Sequence, residues 1–176
     1  PPLLFLIFIF ELFKKNKPLE NISFSILSIF YITLPFSLLN YLAFSPFMEF
    51  KYSFKILTGF YFLIWAYDVG AYFIGSYLGK NKFFERISPK KTWEGTIGGF
   101  LISIIASILI FYLFDILTIF DWLILAAITS FGAIFGDLVE SMFKRYLDIH
   151  DPGKIMPGHG GILDRFVSSL CSIPFV

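Results

Sequence analysis

The sequence predicts an all-α, polytopic integral membrane protein, and three observations carry that prediction. Hydrophobic residues make up 57% of the chain and charged residues only 15%, against about a quarter charged in soluble domains. Mean hydropathy is +0.77. The 25 phenylalanines, with the leucines and isoleucines around them, exceed what a core of this size can hide without leaving large exposed apolar patches. A bilayer interior about 30 Å thick takes about 20 apolar residues per helix, and this chain offers such runs repeatedly.

About six spans follow in order: 1–13, 21–43, 56–79, 96–114, 121–138 and 162–176, the first and last cut short. Pro35 is expected to kink the second, because it removes one backbone donor. The fifth is short, and its helix is expected to run past the membrane through "DLVESMFKRYL". There Leu138, Met142, Phe143 and Tyr146 recur at helical spacing while Glu140, Lys144 and Arg145 point elsewhere. A start at Pro1 and a stop at Val176 inside an apolar run predict one transmembrane catalytic domain, 1–176, taken from a longer chain with further spans at both ends. The single cysteine, Cys171, excludes an intramolecular disulfide.

Lysine and arginine set the orientation. Placing 80–92 in the cytoplasm puts 14–20, 80–92 and 139–165 on that side, with twelve Lys and Arg against two, Lys51 and Lys55, on the other. This is a strong positive-inside signal. It also puts both unusual hydrophilic stretches, "GKNKFFERISPKKTWEG" and "DPGKIMPGHGGILDR", on one face, where they can build one site. Glycine pairs at 75/79, 95/99 and 132/136 are expected to let helix backbones approach closely.

Carboxylates in an apolar solvent come next. Asp68 lies mid-span in "FLIWAYDVGAYFIG", where a charge costs at least about 2.5–3.5 kcal/mol, so it should face a bundle interior or a wet cavity. Asp137 and Glu140 fall where the fifth span meets the cytoplasm, and Asp164 follows the flexible "PGHGG". Two carboxylates from different helices at one membrane boundary suit a hard cation such as Mg²⁺, which takes one or two carboxylates plus substrate phosphates. Asp164 serves equally as a first-turn acid on a helix. In "SPKKTWEG", Ser88, Lys90, Lys91 and Thr92 offer ammonium and hydroxyl donors to a polyphosphate, or simply to anionic headgroups. "GSYLGKN" has three residues between its glycines rather than four and no Ser or Thr after the lysine, so it is not a P-loop.

Two long blocks resemble one family. "SMFKRYLDIHDPGKIMPGHGGILDR" is similar to the signature of the phosphatidate cytidylyltransferases (CDP-diacylglycerol synthases), and "WAYDVGAYFIGSYLGKNKFFERISPKKTWEGTIGG" resembles that family's upstream motif. The resemblance implies an Mg²⁺-dependent membrane enzyme, with a second cation left open, that joins CTP to phosphatidic acid among membrane lipids. It also implies a site facing the cytoplasm of a bacterial inner membrane, with no nucleic-acid partner and a homodimer left open. By matching position, Asp137 and Asp164 are implied as metal ligands. Lys144, Arg145, His159 and Arg165 are implied as catalytic donors. Asp68, Ser88, Lys90, Lys91, Thr92, Glu94, Ser141 and Asp151 are implied around the substrates.

This sequence departs from the pattern twice. His150 stands where lysine is usual, and Val167 stands where a second aspartate is usual. Positions 164 and 167 share a helix face, so valine there is expected to weaken the metal site and impair activity. Three other readings share the coarse features. A transporter or channel would also keep Asp68 and the glycine pairs, a CTP-dependent lipid kinase or a cytidylyltransferase for another lipid would share the nucleotide, and Val167 would suit an impaired copy.

Overall fold

The computed structural model describes residues 2–44, 52–148 and 162–176 of the chain, with side chains described from residue 5 in the first stretch and from residue 166 in the last. It is a helix bundle with one small β-hairpin. In order, the elements are α1 (Pro2–Leu12), α2 (Pro18–Ser28), a π turn (Ile29–Thr33), α3 (Leu34–Ala43), α4 (Phe54–Leu78), β1 (Lys82–Phe84), β2 (Ser88–Thr92), α5 (Trp93–Leu113), α6 (Ile119–Tyr146) and α7 (Ile162–Ser172), closed by a 3₁₀ turn (Ile173–Phe175).

Four helical segments are long and apolar enough to cross a membrane: 18–43, 54–78, 93–113 and 119–146. They match the second to fifth expected spans within a few residues, and the first and last expected spans appear as helices of 11 residues each. The outward face of α5, with Leu101, Ile105, Leu109 and Tyr112 exposed, is a stripe of the kind that lipid covers at low cost. Helix α6 has 28 residues and so runs about 42 Å at 1.5 Å per residue. Its last turns therefore pass beyond the apolar layer, as the "DLVESMFKRYL" pattern predicts.

Helix 18–43 meets Pro35 with a π turn rather than a simple kink at the proline. The N–H of Leu34 donates to the carbonyl of Ile29, five residues back. Widening one turn just ahead of Pro35 lets the helix pass a residue that has no donor of its own.

Packing around α4 is made by small residues. A methyl group on Gly99 would stand 2.8 Å from the Tyr67 carbonyl, so glycine is what lets α4 and α5 touch backbone to backbone. Gly132 likewise accommodates Ser172 of α7. The expected helix-packing role of these glycines is what the structure shows. At the end of the bundle formed by the start of α6, Trp122, Leu63, Ala106, Ile110, Leu125 and Ala126 form a dry core. There α6 opens with a reciprocal cap, the Asp121 N–H donating to Thr118 Oγ1 (3.3 Å) and the Thr118 N–H to Asp121 Oδ2 (3.0 Å).

The cationic stretch 82–92 is an antiparallel hairpin, pairing Lys82 with Thr92 and Phe84 with Ser88 across an irregular register. Its strands are three and five residues long, too short for an alternating pattern to register in the sequence. Pro89 lies in an edge strand, the place in a sheet where proline is found.

Candidate functional site

Beside the hairpin the bundle opens into a cavity of about 570 Å³. Helix α4 contributes Tyr67, Asp68, Tyr72 and Ser76, the hairpin Lys90, Lys91 and Thr92, α5 Thr96, α6 Asp137 and α7 Ser168. Charge and hydroxyl oxygen thus concentrate at one end of an otherwise apolar bundle. Asp68 reaches this cavity from mid-helix, the wet-cavity placement expected of a carboxylate in a membrane span.

Asp137 stands at the centre of the charged contacts. Its Oδ2 accepts from Lys91 Nζ at 2.6 Å, and its Oδ1 accepts from Ser168 Oγ at 3.4 Å. Both partners of the ion pair keep between a quarter and a third of their side-chain exposure, so they stay accessible from the cavity. Thr92 joins the hairpin to the helix: its side-chain oxygen caps α5 by accepting from the Gly95 N–H at 3.2 Å. Thr96 Oγ1 in turn donates to the Thr92 carbonyl at 3.0 Å. A methyl group on Gly79 would lie 2.7 Å from Thr92 Oγ1, so glycine at the exit of α4 is what allows the hairpin to sit this close.

The residues singled out in the sequence therefore divide. Asp68, Lys90, Lys91, Thr92 and Asp137 converge on the cavity. Ser88, Glu94, Ser141, Lys144 and Arg145 lie outside its lining. Glu94 accepts from the Asn81 N–H (3.1 Å) and Nδ2 (2.8 Å), which closes the base of the hairpin. Lys144 pairs with Glu140 one turn back on α6. Arg145 Nε donates to the Ile87 carbonyl at 2.5 Å, gripping the hairpin near its tip. Asp151 and His159 lie outside the described residues. Asp164 and Arg165 fall within α7, but their side chains are outside the description.

Val167 is fully buried. A methyl group on Gly136 would meet its carbonyl oxygen at 2.8 Å and its Cγ1 at 3.1 Å, so position 167 is packed into the α6/α7 seam beside the residue preceding Asp137. Among the described side chains of α7, Ser168 faces Asp137. Asn81, Phe83, Ile87 and Thr96 were not singled out in the sequence. Thr92 followed by Glu94 at the head of an apolar run is a helix-start pattern that would have pointed to the Thr92 cap and the Asn81 clasp.

The donor set suits a hard cation. Among the described residues no group of three or more His, Cys, Asp or Glu side chains is gathered. Asp68 and Asp137 line one cavity, with the Ser168 hydroxyl on Asp137, and oxygen donors of this kind suit an ion that completes its shell with water and phosphate oxygen.

Membrane-length helices that hold lysines, carboxylates and hydroxyls around one cavity define a polytopic membrane protein with a charged pocket. Comparison with known proteins supplies the family. The model of the cytidylyltransferase family matches residues 2–176, and the chain belongs to that family. Its similar proteins include the phosphatidate cytidylyltransferase of Bacillus subtilis (strain 168), 50% identical over 117 residues, 65% of this chain and 43% of that protein. Those of Staphylococcus haemolyticus (44% identical over 117 residues) and Staphylococcus aureus strain COL (43% over 119) each match 66% of this chain and 45% of their own length. The chain thus spans under half the length of these relatives.

Proposed function

We propose that the protein is a phosphatidate cytidylyltransferase that transfers CMP from CTP to phosphatidic acid, giving CDP-diacylglycerol and pyrophosphate. The carrying observation is that Lys90 and Lys91 share one cavity with Asp68 and Asp137 in a chain of the cytidylyltransferase family. Relatives bearing that enzyme's name support the choice of reaction, and the family membership leaves a transporter without support. The relatives' bacterial sources and the twelve-to-two distribution of basic residues support a bacterial plasma membrane with the cavity toward the cytoplasm.

A phosphatidic acid oxygen attacks the α-phosphorus of CTP, a new P–O bond forms, and the bond to the β-phosphate breaks. A phosphate monoester is largely ionised near neutral pH, its second pKa being about 6, so the site needs no strong base. It must position two polyanions and neutralise the charge moving onto pyrophosphate. Lys90 and Lys91 are assigned to the triphosphate, and the Lys91–Asp137 pair would open to an incoming anion. Asp137, Asp164 and Asp68 would hold Mg²⁺, which supplies electrostatic stabilisation of phosphoryl oxygens. Arg165 and His159 are assigned to the lipid and nucleotide phosphates by their place in the signature.

The test is incorporation of label from CTP into a phosphatidic acid-derived lipid by the full-length protein, run with and without Mg²⁺ for the natural sequence and Val167→Asp. Mg²⁺-dependent incorporation that retains cytidine is expected from at least one of the two. Transfer of phosphate without cytidine would replace the reading with a lipid kinase, and no incorporation by either protein would overturn it.

A further inference from the structure

We infer that Arg145 is a positioning residue: together with Phe83 it clamps the 82–92 hairpin against the bundle so that Lys90 and Lys91 stand in the cavity. The inference rests on the proposed reaction only for what the two lysines bind.

A two-stranded hairpin is marginal on its own in water, and this one exposes Phe84, Glu85 and Arg86 at its turn. Its geometry must be supplied from outside. At the base, Asn81 is clasped by Glu94, and the Trp93 N–H donates to the Asn81 carbonyl at 3.0 Å. In the middle, the Phe83 ring meets Trp93 edge to face with centroids 4.5 Å apart and packs on the buried Tyr67, Ala133 and Ile134 of α4 and α6. Near the tip, the chain folds back with the Ile87 N–H donating to the Phe84 carbonyl at 3.2 Å, and the Ile87 carbonyl accepts from Arg145. That bond is charge-assisted and joins residues 58 positions apart, so it fixes where the turn lies rather than local conformation.

Arg145 reaches the tip because α6 continues past the apolar layer to Tyr146. Its side chain is exposed and lies outside the cavity lining. Lys90 and Lys91 follow Ile87 by three and four residues, so a shift of the turn moves them directly. Substrate reorders a loosened hairpin at the expense of binding, and the defect of an Arg145 variant then falls on affinity rather than on the chemical step.

The experiment uses the full-length protein in lipid nanodiscs with Cys171→Ala and a spin label on Glu85→Cys, an exposed turn position. The parent should give a broad, immobilised spectrum. Arg145→Ala should sharpen it and raise KM for CTP about tenfold, the value of one lost charge-assisted hydrogen bond, with kcat changed less than about threefold. Arg145→Lys, which keeps a cationic donor, should restore much of both, and Phe83→Leu should sharpen the spectrum with Arg145 intact. An unchanged spectrum in Arg145→Ala, or a fall in kcat of a hundredfold or more at constant KM, would overturn the clamp and put Arg145 on the reacting phosphates. If the parent makes no lipid product, the proposed reaction fails while the spectra still decide the clamp.

Discussion

At one end of the bundle Trp122 of α6 is wholly buried among Leu63 of α4 and Ala106 and Ile110 of α5; towards the other, the same three helices part around a cavity lined by Asp68, Thr96 and Asp137. The difference lies in side-chain volume and charge, since the backbones continue from one end to the other. In the dry half each side chain is held by neighbours on several helices, so its loss is felt as stability. In the wet half the charged groups meet in pairs, and their loss should be felt as function.

Asp137→Asn tests the wet half and should have the largest effect. It keeps the shape and removes the charge that pairs with Lys91 and would face a cation. The expected loss is about 10³-fold in kcat, roughly 4 kcal/mol of barrier. Thermal unfolding in detergent should move by no more than a degree or two, because the pair is partly exposed and such pairs contribute about 0–1 kcal/mol. A large drop in unfolding temperature would show that the wet half is structural as well.

Trp122→Ala tests the dry half. Large-to-small core changes of this kind cost about 3–5 kcal/mol in water. In lipid the transfer part of that cost is largely absent, while the lost packing contacts remain. The expected destabilisation is therefore about 3 kcal/mol, read by chemical denaturation in mixed micelles, with turnover per folded molecule unchanged. Loss of turnover in molecules that remain folded would mean that the two ends are mechanically coupled.

The contrast also explains what could be read in the sequence. The four long helices were legible because a membrane span depends on the length and hydropathy of its own residues, and the extension of α6 was legible because Leu138 and Phe143 keep a helical period outside the membrane. Leu138 does pack on the Tyr67 cluster, and Phe143 meets Tyr31 edge to face at 5.7 Å. The hairpin was not legible, its strands being only three and five residues long. Asp68 and Asp137 could be marked as carboxylates in the wrong solvent, yet only the fold brings them to one cavity. Arg145 was read as a phosphate donor from its place in a motif; its hydrogen bond to Ile87, 58 positions away, is a tertiary fact. Val167 was read through a helix wheel as a gap in a metal site. The structure adds that the position is also part of the α6/α7 packing against Gly136.

Thr92 sits where hairpin, helix and cavity meet, so it separates the two kinds of cost within one residue. Its hydroxyl oxygen caps α5 through the Gly95 N–H, while its methyl lies over Gly79, where an added Cβ would be only 2.8 Å from Cγ2. Thr92→Val keeps the shape and removes the acceptor. It should cost about 1 kcal/mol, the usual worth of an N-cap, and leave KM for CTP raised, because the strand that carries Lys90 and Lys91 ends on this residue. Thr92→Ser keeps the acceptor and removes the methyl, and should stay within about 0.5 kcal/mol of the natural protein, since serine caps as well as threonine, with KM near its natural value. Denaturation and initial-rate measurements on the pair check both. The reverse order, with Thr92→Ser the more damaging of the two, would show that packing over Gly79, rather than the cap, joins the hairpin to α5, and would move this joint from the wet half of the molecule to the dry one.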